Sequence, residues 1–383
     1  AVSPSISVRR KYIQIGQSID LDVIDLNDNT ILSDQSSFKW MSFNSDIASV
    51  DSDGIVKGLS VGYSTIIAET SNGVKVRAII YVTDAGSDTI TVPQTAITHN
   101  GTVYVLKDDG TVWGSGKNSD YELGQGNKDT VTGVVRIKKS ETEYLDNIVQ
   151  IDAGDYCGFG LDKDGALWVW GYNGQGQLGT GDTSYRTYAE KITQIGDYEI
   201  LPKIIQIAAG YRYTLVLLEN GDIYATGENG YGQLGNSAYS SSNKFIKTEN
   251  VSNVVQISTK MRANTFLMQD GSILNCGINS NGQLGRGTTF SGTNEKDYVK
   301  NPENDGKLED IVWVACDDTS IALNKNGEAF VWGYNLYGSF GNGSTSNSSL
   351  PIKLDLDSIG ITRIKYVASG NSSLHIQDVS GRL

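Results

Sequence analysis

Residues 96 to 383 alternate short apolar stretches with polar, glycine-rich turns. The clearest stretch reads Trp168-Val169-Trp170-Gly171-Tyr172-Asn173, and related stretches stand at 113–118, 224–229, 274–279 and 330–335. Each stretch contains a glycine two residues before its final asparagine, such as Gly171. Six residues before that glycine lies the glycine of an Asp-Gly or Asn-Gly pair, such as Gly165. Such pairs between short apolar strands are typical of hairpins with two-residue turns. The pattern therefore predicts a small antiparallel sheet in every repeat.

The glycines of these turn pairs show the length of the repeat. They fall at positions 110, 165, 221, 271, 327 and 381, so successive copies are 50 to 56 residues apart. A unit of this size cannot bury its hydrophobic face alone and stacks on its neighbours, and four-stranded units that stack radially form a β-propeller. We predict a propeller of four-stranded blades over residues 96–383, with six blades, or seven if the chain is trimmed.

The first 83 residues follow a different pattern. Ser18-Ile19-Asp20-Leu21 and Val74-Lys75-Val76-Arg77-Ala78-Ile79 alternate apolar and polar positions, at least in part, as half-buried strands do. Short strands, one buried tryptophan (Trp40) and the lack of helical periodicity favour a small β-sandwich. We therefore predict an all-β chain of two domains, with the sandwich over residues 1–83 and a polar linker over 84–95.

Composition narrows the classes of function. The formal net charge of -13 and the isoelectric point near 4.7 argue against binding to nucleic acid or to an anionic membrane, which depends on lysine and arginine. No run of eighteen apolar residues is present, so no membrane insertion is expected. The three cysteines lie in strand patterns of different repeats, which favours small buried apolar residues over a disulfide or a metal site: Cys157, Cys276 and Cys316.

The N-terminal segment resembles the bacterial immunoglobulin-like domains of group 2. Trp40, Ser42 and Asn44, then Ile47-Ala48-Ser49-Val50, then Gly54-Ile55-Val56-Lys57-Gly58, match the pattern of that family residue by residue. The resemblance covers about a fifth of the chain and implies an immunoglobulin-like sandwich. Such domains are common in bacterial surface adhesins and in phage virion proteins.

The repeats resemble those of the regulator of chromosome condensation family. The resemblance rests on a small-residue strand such as Ala208-Ala209-Gly210, the turn pair, Trp170-Gly171-Tyr172-Asn173 and Gln177-Leu178-Gly179. It implies a propeller in which the glycines permit sharp bends and close backbone approach, the leucines fill the space between blades, and the Asn and Gln side chains bond to loop backbone.

The chain departs from the family in two respects. A histidine is usual three residues after the small-residue strand, but that position is occupied here by other residues: Cys157, Tyr213, Ala263 and Ser373. The namesake of the family exchanges nucleotide on a small GTPase and binds chromatin. This chain lacks the basic surface and any segment that matches an exchange wedge, so neither small-GTPase exchange nor chromatin binding is expected.

No catalytic constellation is visible, so we predict no enzymatic activity, no metal site and no cofactor. His99 and His375 stand far apart in the sequence. Asp162-Lys163-Asp164-Gly165 and Asn324-Lys325-Asn326-Gly327 are superficially similar to calcium loops. Neither carries the later bidentate glutamate, and both coincide with the turn of the repeat. Turn formation is therefore the better interpretation of both segments.

Tyrosines provide the strongest indication of a binding surface. The chain has 20 Tyr and 8 Phe, which favours aromatic side chains that act half exposed. Several follow the repeated strand directly or lie in its loop, where equivalent loops of a propeller emerge on one face: Tyr121, Tyr172, Tyr231, Tyr334 and Tyr337. The alternative is that they pack over the loop of the neighbouring blade. The longer insertions at 181–203 and 286–310 could also carry a recognition loop.

These observations predict an extracellular binding or adhesion protein at a bacterial surface, with the propeller face as the recognition surface and the immunoglobulin-like domain as a spacer. The expected partner is a protein or a glycan on a cell surface. A phage virion decoration or fibre protein is the first alternative. A secreted inhibitor of β-lactamases, whose family shares the propeller and uses aromatic loops, is the second. An enzyme acting in the propeller channel is the third.

Overall fold

A computed structural model describes residues 4–25, 27–32, 35–84, 94–290, 296–304, 306–356, 358, 360–361, 364–370 and 373–378 of the protein. Apart from the 3₁₀ turn at Gln35–Ser37 and the 3₁₀ residue Ser358, the regular structure of these residues is β. The prediction of an all-β chain is therefore confirmed. The chain packs as two compact units, residues 1–82 together with 253–383, and residues 83–252.

The N-terminal sequence forms ten short strands in three sheets, as expected for alternating segments without helical periodicity. In chain order they are β1 (Pro4–Ile6), β2 (Arg10–Gln14), β3 (Ser18–Asp20), β4 (Val23–Asp25), β5 (Thr30–Ile31), β6 (Lys39–Ser42), β7 (Ala48–Val50), β8 (Ile55–Gly58), β9 (Gly62–Glu69) and β10 (Lys75–Thr83). The sheets have the orders β1-β4-β5, β2-β10-β9-β6 and β3-β8-β7. Trp40, expected to be buried, is half-buried, and its indole N–H donates to the Gln35 carbonyl (3.2 Å).

Each repeat forms one antiparallel sheet whose strands pair in sequence order. In residues 83–252 these are β11 (Gln94–Ile97), β12 (Val103–Leu106), β13 (Val112–Gly116) and β14 (Val131–Arg136), then β15 (Ile148–Ala153), β16 (Cys157–Asp162), β17 (Leu167–Gly171) and β18 (Arg186–Lys191), then β19 (Ile204–Ala209), β20 (Tyr213–Leu218), β21 (Ile223–Gly227) and β22 (Ser242–Lys247). The predicted sheet in each repeat is therefore present.

Residues 253–383 continue the pattern. They contain β23 (Val254–Thr259), β24 (Ala263–Met268), β25 (Ile273–Gly277) and β26 (Asp297–Tyr298), then β27 (Ile311–Cys316), β28 (Thr319–Asn324), β29 (Ala329–Gly333) and β30 (Ser348–Lys353), then β31 (Ile364–Gly370) paired with β32 (Ser373–Asp378). The strand pattern at residues 89–92 predicts that these residues, or the strands of the first repeat, pair with residues 364–376 to close the propeller. Residues 89–92 lie outside the described residues. The number of blades stays a prediction.

The turn between β16 and β17 differs from the two-residue turn that the sequence predicts. Asp162 and Ala166 pair through the Asp162 N–H and the Ala166 carbonyl (2.9 Å), so three residues, not two, form the loop. Gly165 has a left-handed φ of +86°, and Asp164, which precedes it, is not among the residues with positive φ. The Asp162 carboxylate accepts the N–H groups of Asp164 (3.0 Å) and Ala166 (2.9 Å). The prediction of a two-residue turn was therefore wrong. A two-residue type I′ turn needs positive φ at both residues of the pair, whereas a three-residue loop needs it only at the final residue, here Gly165. The interpretation of this segment as a turn is confirmed.

The glycine that closes the third strand is required by its surroundings. Gly171 has a φ of +95°, and a Cβ there would lie 2.6 Å from the Tyr156 carbonyl oxygen. The same contact recurs in the next repeat, where a Cβ on Gly227 would lie 2.4 Å from the Arg212 carbonyl. A side chain would therefore have to displace the preceding turn, which explains the repeated glycine.

The repeated asparagine organises its own loop. Asn173 is fully buried; its Oδ1 accepts the Leu178 N–H (2.9 Å) and its Nδ2 donates to the Asp182 carbonyl (3.0 Å). The corresponding asparagines accept the same N–H group in every repeat: Asn118, Asn229, Asn279 and Asn335. Gln177 likewise accepts the Gln175 N–H (3.0 Å). The interpretation of these amides as structural groups is confirmed.

The hydrophobic core lies between successive sheets. In residues 83–252 one cluster joins Tyr104 and Val112 of the first sheet to Ile151 and Trp170 of the second. In residues 253–383 a similar cluster joins Ile273 of one sheet to Trp332 of the next. The burial shows that each repeat covers the face of its neighbour, as the length of the repeat predicts.

Strands β9 and β10 are buried on both faces rather than on one. Val76, Ala78 and Ile80 of β10 point into the N-terminal core. The alternate residue Arg77 is fully buried, and its guanidinium donates to the Gln269 carbonyl (2.8 Å). Lys75, two residues earlier, forms an ion pair with Asp310 (2.6 Å). The expectation of half-buried strands was therefore wrong for β10, because a repeat sheet covers its second face.

The same interface contains an aromatic stack. Tyr63 of β9 lies on Trp313 of β27, with ring centroids 3.9 Å apart, and the Thr65 hydroxyl donates to the Val312 carbonyl (2.8 Å). Trp313 occupies the strand position held by Gln256 in the preceding repeat, whose amide group bonds to Val314 of the next sheet (2.9 and 3.1 Å). A departure from the repeat thus coincides with the contact between the N-terminal sheets and the repeats.

Candidate functional site

The strand order of each repeat sheet places two loops together. In a four-stranded antiparallel sheet, the turn between the first two strands and the connection between the last two lie at the same end. We call this the loop end of the sheet. In residues 83–252 the loop ends of β11–β14 and β15–β18 bring together the tyrosine cluster, defined as Tyr121, Tyr156, Tyr172 and Tyr185.

The rings of the tyrosine cluster are in mutual contact. Tyr185 contacts Tyr172 (centroids 5.0 Å apart) and Tyr121 (6.4 Å), and Tyr172 contacts Tyr156 (5.8 Å). The four residues are half-buried. The Lys128 ammonium lies over the rings of Tyr121 (4.9 Å) and Tyr185 (5.6 Å). The arrangement offers a partner rigid aromatic area with polar edges, which recognition surfaces commonly use.

An ion pair between successive repeats extends this surface. Arg212 binds the fully buried Asp155 carboxylate (3.1 Å) and lies over the Tyr211 ring (4.8 Å). His99 meets the same ring edge-on at 5.8 Å. Asp155 precedes Tyr156 in the turn, so the pair connects the tyrosine cluster to the first turn of the next sheet.

Burial and neighbouring negative charges act on two hydroxyl groups of the cluster. The negative charge of Asp155 raises the pKa of Tyr156, and burial together with Asp120 raises the pKa of Tyr185. A tyrosine hydroxyl is already protonated at neutral pH, and a raised pKa extends this state to more alkaline solution, so both groups can donate hydrogen bonds. A partner can use the ring faces and the hydroxyl groups at once.

Tyr121 has an unusual backbone conformation. Its φ is +65°, in the left-handed region that bulky residues rarely adopt. The corresponding position in the later repeats is glycine with φ between +74° and +82°: Gly176, Gly232, Gly282 and Gly338. The first repeat therefore keeps a tyrosine where the backbone favours glycine, and strain of this kind is a feature of functional sites.

We expect Tyr121→Gly to be more stable than Tyr121→Ala by about 1–2 kcal/mol, because only glycine adopts this φ without strain. Both variants lose the same ring, so the comparison isolates the backbone. Urea unfolding of the full chain, followed by circular dichroism, provides the measurement. An alanine variant as stable as the glycine variant would show that the tyrosine is not strained.

The other predicted tyrosines lie elsewhere. Tyr231 is half-buried, and its N–H donates to Gln233 (2.8 Å). In the unit that contains residues 253–383, Tyr334 and Tyr337 contact each other (5.9 Å), and Tyr337 is 78% exposed. The structure thus joins Tyr121 and Tyr172 through Tyr185, and pairs Tyr334 with Tyr337. Their role in binding stays a prediction.

Several members of the surface were missed in the sequence. Tyr156, Tyr211 and Arg212 directly follow a small-residue strand, in the first turn of their repeats, and Tyr185 precedes an outer strand. The sequence contained a usable signal, since counting strands places all of these positions at the loop end. His99, treated as an isolated histidine, belongs to the same surface through Tyr211.

Groups suited to catalysis are scattered in the described residues. Within these residues, no group of three or more His, Cys, Asp or Glu side chains is placed to hold a metal ion. The cysteines are buried as expected, and burial raises the pKa of Cys316 to about 11. His375 contacts Ser373 (3.3 Å). No helix in the described part of the chain is long and apolar enough to span a membrane.

Comparison with sequence families matches both halves of the chain. The profile of the bacterial Ig-like domain (group 2) matches residues 2–81. Two profiles of the regulator of chromosome condensation (RCC1) repeat match residues 148–177 and 204–233, and residues 164–217 and 326–374.

Individual proteins show the same similarity over shorter segments. The chain is 44% identical over 75 residues, 20% of its length, to the Protein RCC2 homolog of Danio rerio. It is 33% identical over 127 residues, 33% of its length, to the Ultraviolet-B receptor UVR8 of Arabidopsis thaliana. The chain spans 14% and 27% of the lengths of these two relatives.

A solved structure supports the fold. The crystal structure of Prp20p from Saccharomyces cerevisiae, described with its binding properties to Gsp1p and histones, matches with a TM-score of 0.60 and 17% identity. The match covers 83% of this chain and 81% of that chain. Together with the family matches, it identifies the repeat sheets as blades of a β-propeller.

Proposed function

Because the chain carries a bacterial Ig-like domain of group 2 followed by RCC1 repeats, we propose that it is a non-enzymatic protein that binds a protein partner through its tyrosine cluster. Propellers of RCC1 repeats mediate protein binding. The strained Tyr121 within a connected group of half-buried rings is the observation that carries the proposal. The proposal identifies the surface and the class of partner.

The chemistry of the cluster suits a protein surface. Tyrosine supplies large contact area with little loss of side-chain entropy, and it is frequent among the residues that dominate binding energy. Lys128 and Arg212 add donors at the edge of the rings, while Asp155 balances the charge of Arg212. The surface therefore combines apolar area with charged and polar groups, as the core and rim of an interface do.

We further propose that the protein acts outside the cell, at a bacterial surface or on a virion, with the Ig-like domain as its spacer. The family of that domain supports this setting. The contacts of Arg77, Lys75 and Tyr63 with the repeats indicate a rigid rather than a flexible spacer. Such a spacer presents the repeats of its unit in one fixed orientation.

The test is capture of a surface-protein extract on the full chain and on a Tyr172→Ala/Tyr185→Ala variant. We expect the partner to be retained by the parent protein and its affinity for the variant to fall by a hundredfold or more, since hot-spot aromatics contribute about 2 kcal/mol each. Tyr144→Ala is the matched control, because Tyr144 is 44% exposed and lies outside the cluster, between β14 and β15. Equal retention by both variants would exclude the tyrosine cluster as the binding surface.

A further inference from the structure

A cavity lies at the end of sheet β15–β18 opposite to its loop end. Its volume is about 180 Å³, and it is bordered by the Asp164-Gly165 turn, the end of β18 and the connection to β19. This connection belongs to the insertion at 181–203, whose length in the sequence predicts a place for a recognition loop. The cavity is separate from the tyrosine cluster, because the two lie at opposite ends of one sheet.

The lining of the cavity is mainly apolar. Buried side chains of Leu167, Ile192, Ile195 and Ile204 contribute, together with the half-buried Leu201 and Pro202. An apolar cavity of about 150 Å³ is large enough to bind benzene, whereas pockets for drug-sized ligands begin near 300 Å³. The space therefore fits one bulky side chain and is too small for a large organic ligand.

The rim of the cavity is positively charged. Lys191 and Lys203 line the cavity and are exposed. No ion pair is found for either lysine within the part of the chain that the structure describes. Asp164 contributes one carboxylate. Lys191, Lys203 and Asp164 together give the rim a net charge of +1 in a chain with net charge -13, so the rim complements a ligand that carries negative charge.

The apolar surface continues outside the cavity. Ile200 is 86% exposed and directly precedes Leu201 in the loop. A rigid small ligand inside the cavity would leave this side chain uncovered, whereas an extended segment of polypeptide could cover it. The combination of a one-residue cavity, a neighbouring exposed isoleucine and a cationic rim fits an extended acidic segment.

We propose that the cavity binds an acidic peptide segment of a partner protein, which inserts one leucine-sized side chain and places carboxylates against Lys191 and Lys203. The apolar side chain supplies specificity and the lysines orient the segment. This site is independent of the proposed function of the tyrosine cluster, so either can fail without the other.

Isothermal titration calorimetry of the full chain with two synthetic peptides tests the proposal. The first is an acetylated, amidated pentapeptide with a central leucine between pairs of glutamates, and the second has serine in place of leucine. We expect the leucine peptide to bind at least about tenfold more tightly, since a pocket distinguishes even single methylene groups by about tenfold or more. No binding of the leucine peptide, or equal binding of both peptides, would overturn the proposal.

Variants locate the binding. Ala166→Leu, at a half-buried position of the lining, should fill the cavity and abolish binding of the leucine peptide while the fold is retained. Lys191→Gln/Lys203→Gln should weaken binding and reduce its dependence on salt, whereas Lys57→Gln, an exposed lysine of β8, should leave binding unchanged. Unchanged binding to a folded Ala166→Leu variant would exclude this cavity. Binding of octanoate without binding of the leucine peptide would show a site for fatty-acid anions and would also overturn the proposal.

Discussion

Replacing Trp170 with alanine is expected to lower the free energy of unfolding by about 3–5 kcal/mol, the range for large aromatic residues in a core. Trp170 is fully buried between two sheets and meets Tyr104 edge-on at 5.5 Å. Its indole N–H donates to the Glu122 carbonyl of the preceding repeat (2.7 Å). The variant therefore loses the contact that joins two repeats and leaves a cavity between their sheets.

Trp168→Ala is the matched control on the same strand. Trp168 is two residues away, half-buried, and bonded to the Asp162 carboxylate of its own turn (3.1 Å). Trp168 packs only at the edge of this core, and its replacement should lower the free energy of unfolding by about 1 kcal/mol, the centre of the distribution for point mutations. Urea unfolding of the full chain, followed by circular dichroism, compares the two variants. Equal losses would show that stacking of neighbouring sheets does not dominate the stability of this unit.

Replacing Trp313 with alanine should also lower the free energy of unfolding by about 3 kcal/mol or more. The Trp313 ring is 9% exposed and lies on Tyr63, which is 7% exposed. The variant removes the stack that joins β9 of the Ig-like domain to β27 of a repeat. We expect faster hydrogen exchange in β9 and β10, because these strands lose the cover of their second face.

A double-mutant cycle distinguishes this contact from general loss of packing. Tyr63→Ala and Trp313→Ala should show a coupling energy of about 0.5–1.5 kcal/mol, as stacked aromatic pairs do. Trp113→Ala, combined with Tyr63→Ala, is the control and should show no coupling. Trp113 is a half-buried tryptophan of the other unit, and its indole N–H is bonded to Thr111. A coupling of zero between Tyr63 and Trp313 would refute the stack as a stabilising contact. Thermal unfolding of the four proteins supplies a second measurement.

Some residues of the candidate site could be selected from the sequence, but their contacts with one another could not. Tyr121 and Tyr172 were selected because they follow the repeated strand, and both lie in the tyrosine cluster. Tyr156 was missed because it belongs to another loop of the repeat, and Tyr185 because it lies at the far end of the loop that begins with Tyr172. Their contacts with Tyr172 depend on how the loops fold and pack at one end of the sheet, which a linear pattern does not contain.

The strain at Tyr121 also required the structure. The sequence shows tyrosine where later repeats have glycine, which indicates only that the residue departs from the repeat. A bulky residue could have avoided the left-handed region by a change of loop geometry. The φ of +65° shows that the loop was kept and the residue was forced to adopt it. The strained φ therefore supports a functional role for Tyr121 more strongly than the departure from the repeat does.

The β class, the sheet of each repeat and the structural role of Asn173 and its equivalents could all be predicted from the amino-acid sequence. These features depend on local periodicity and on residues close together in the chain, such as Asn173 and Leu178. The residues that cover the outer face of β10, and the tyrosines that contact one another, depend instead on the three-dimensional fold. Alternation shows that Arg77 leaves the strand on the face opposite to Val76, but its partner Gln269 is 192 residues away. The hydrophobic pattern specifies that a face must be covered, whereas the packing of distant strands determines which residues cover it.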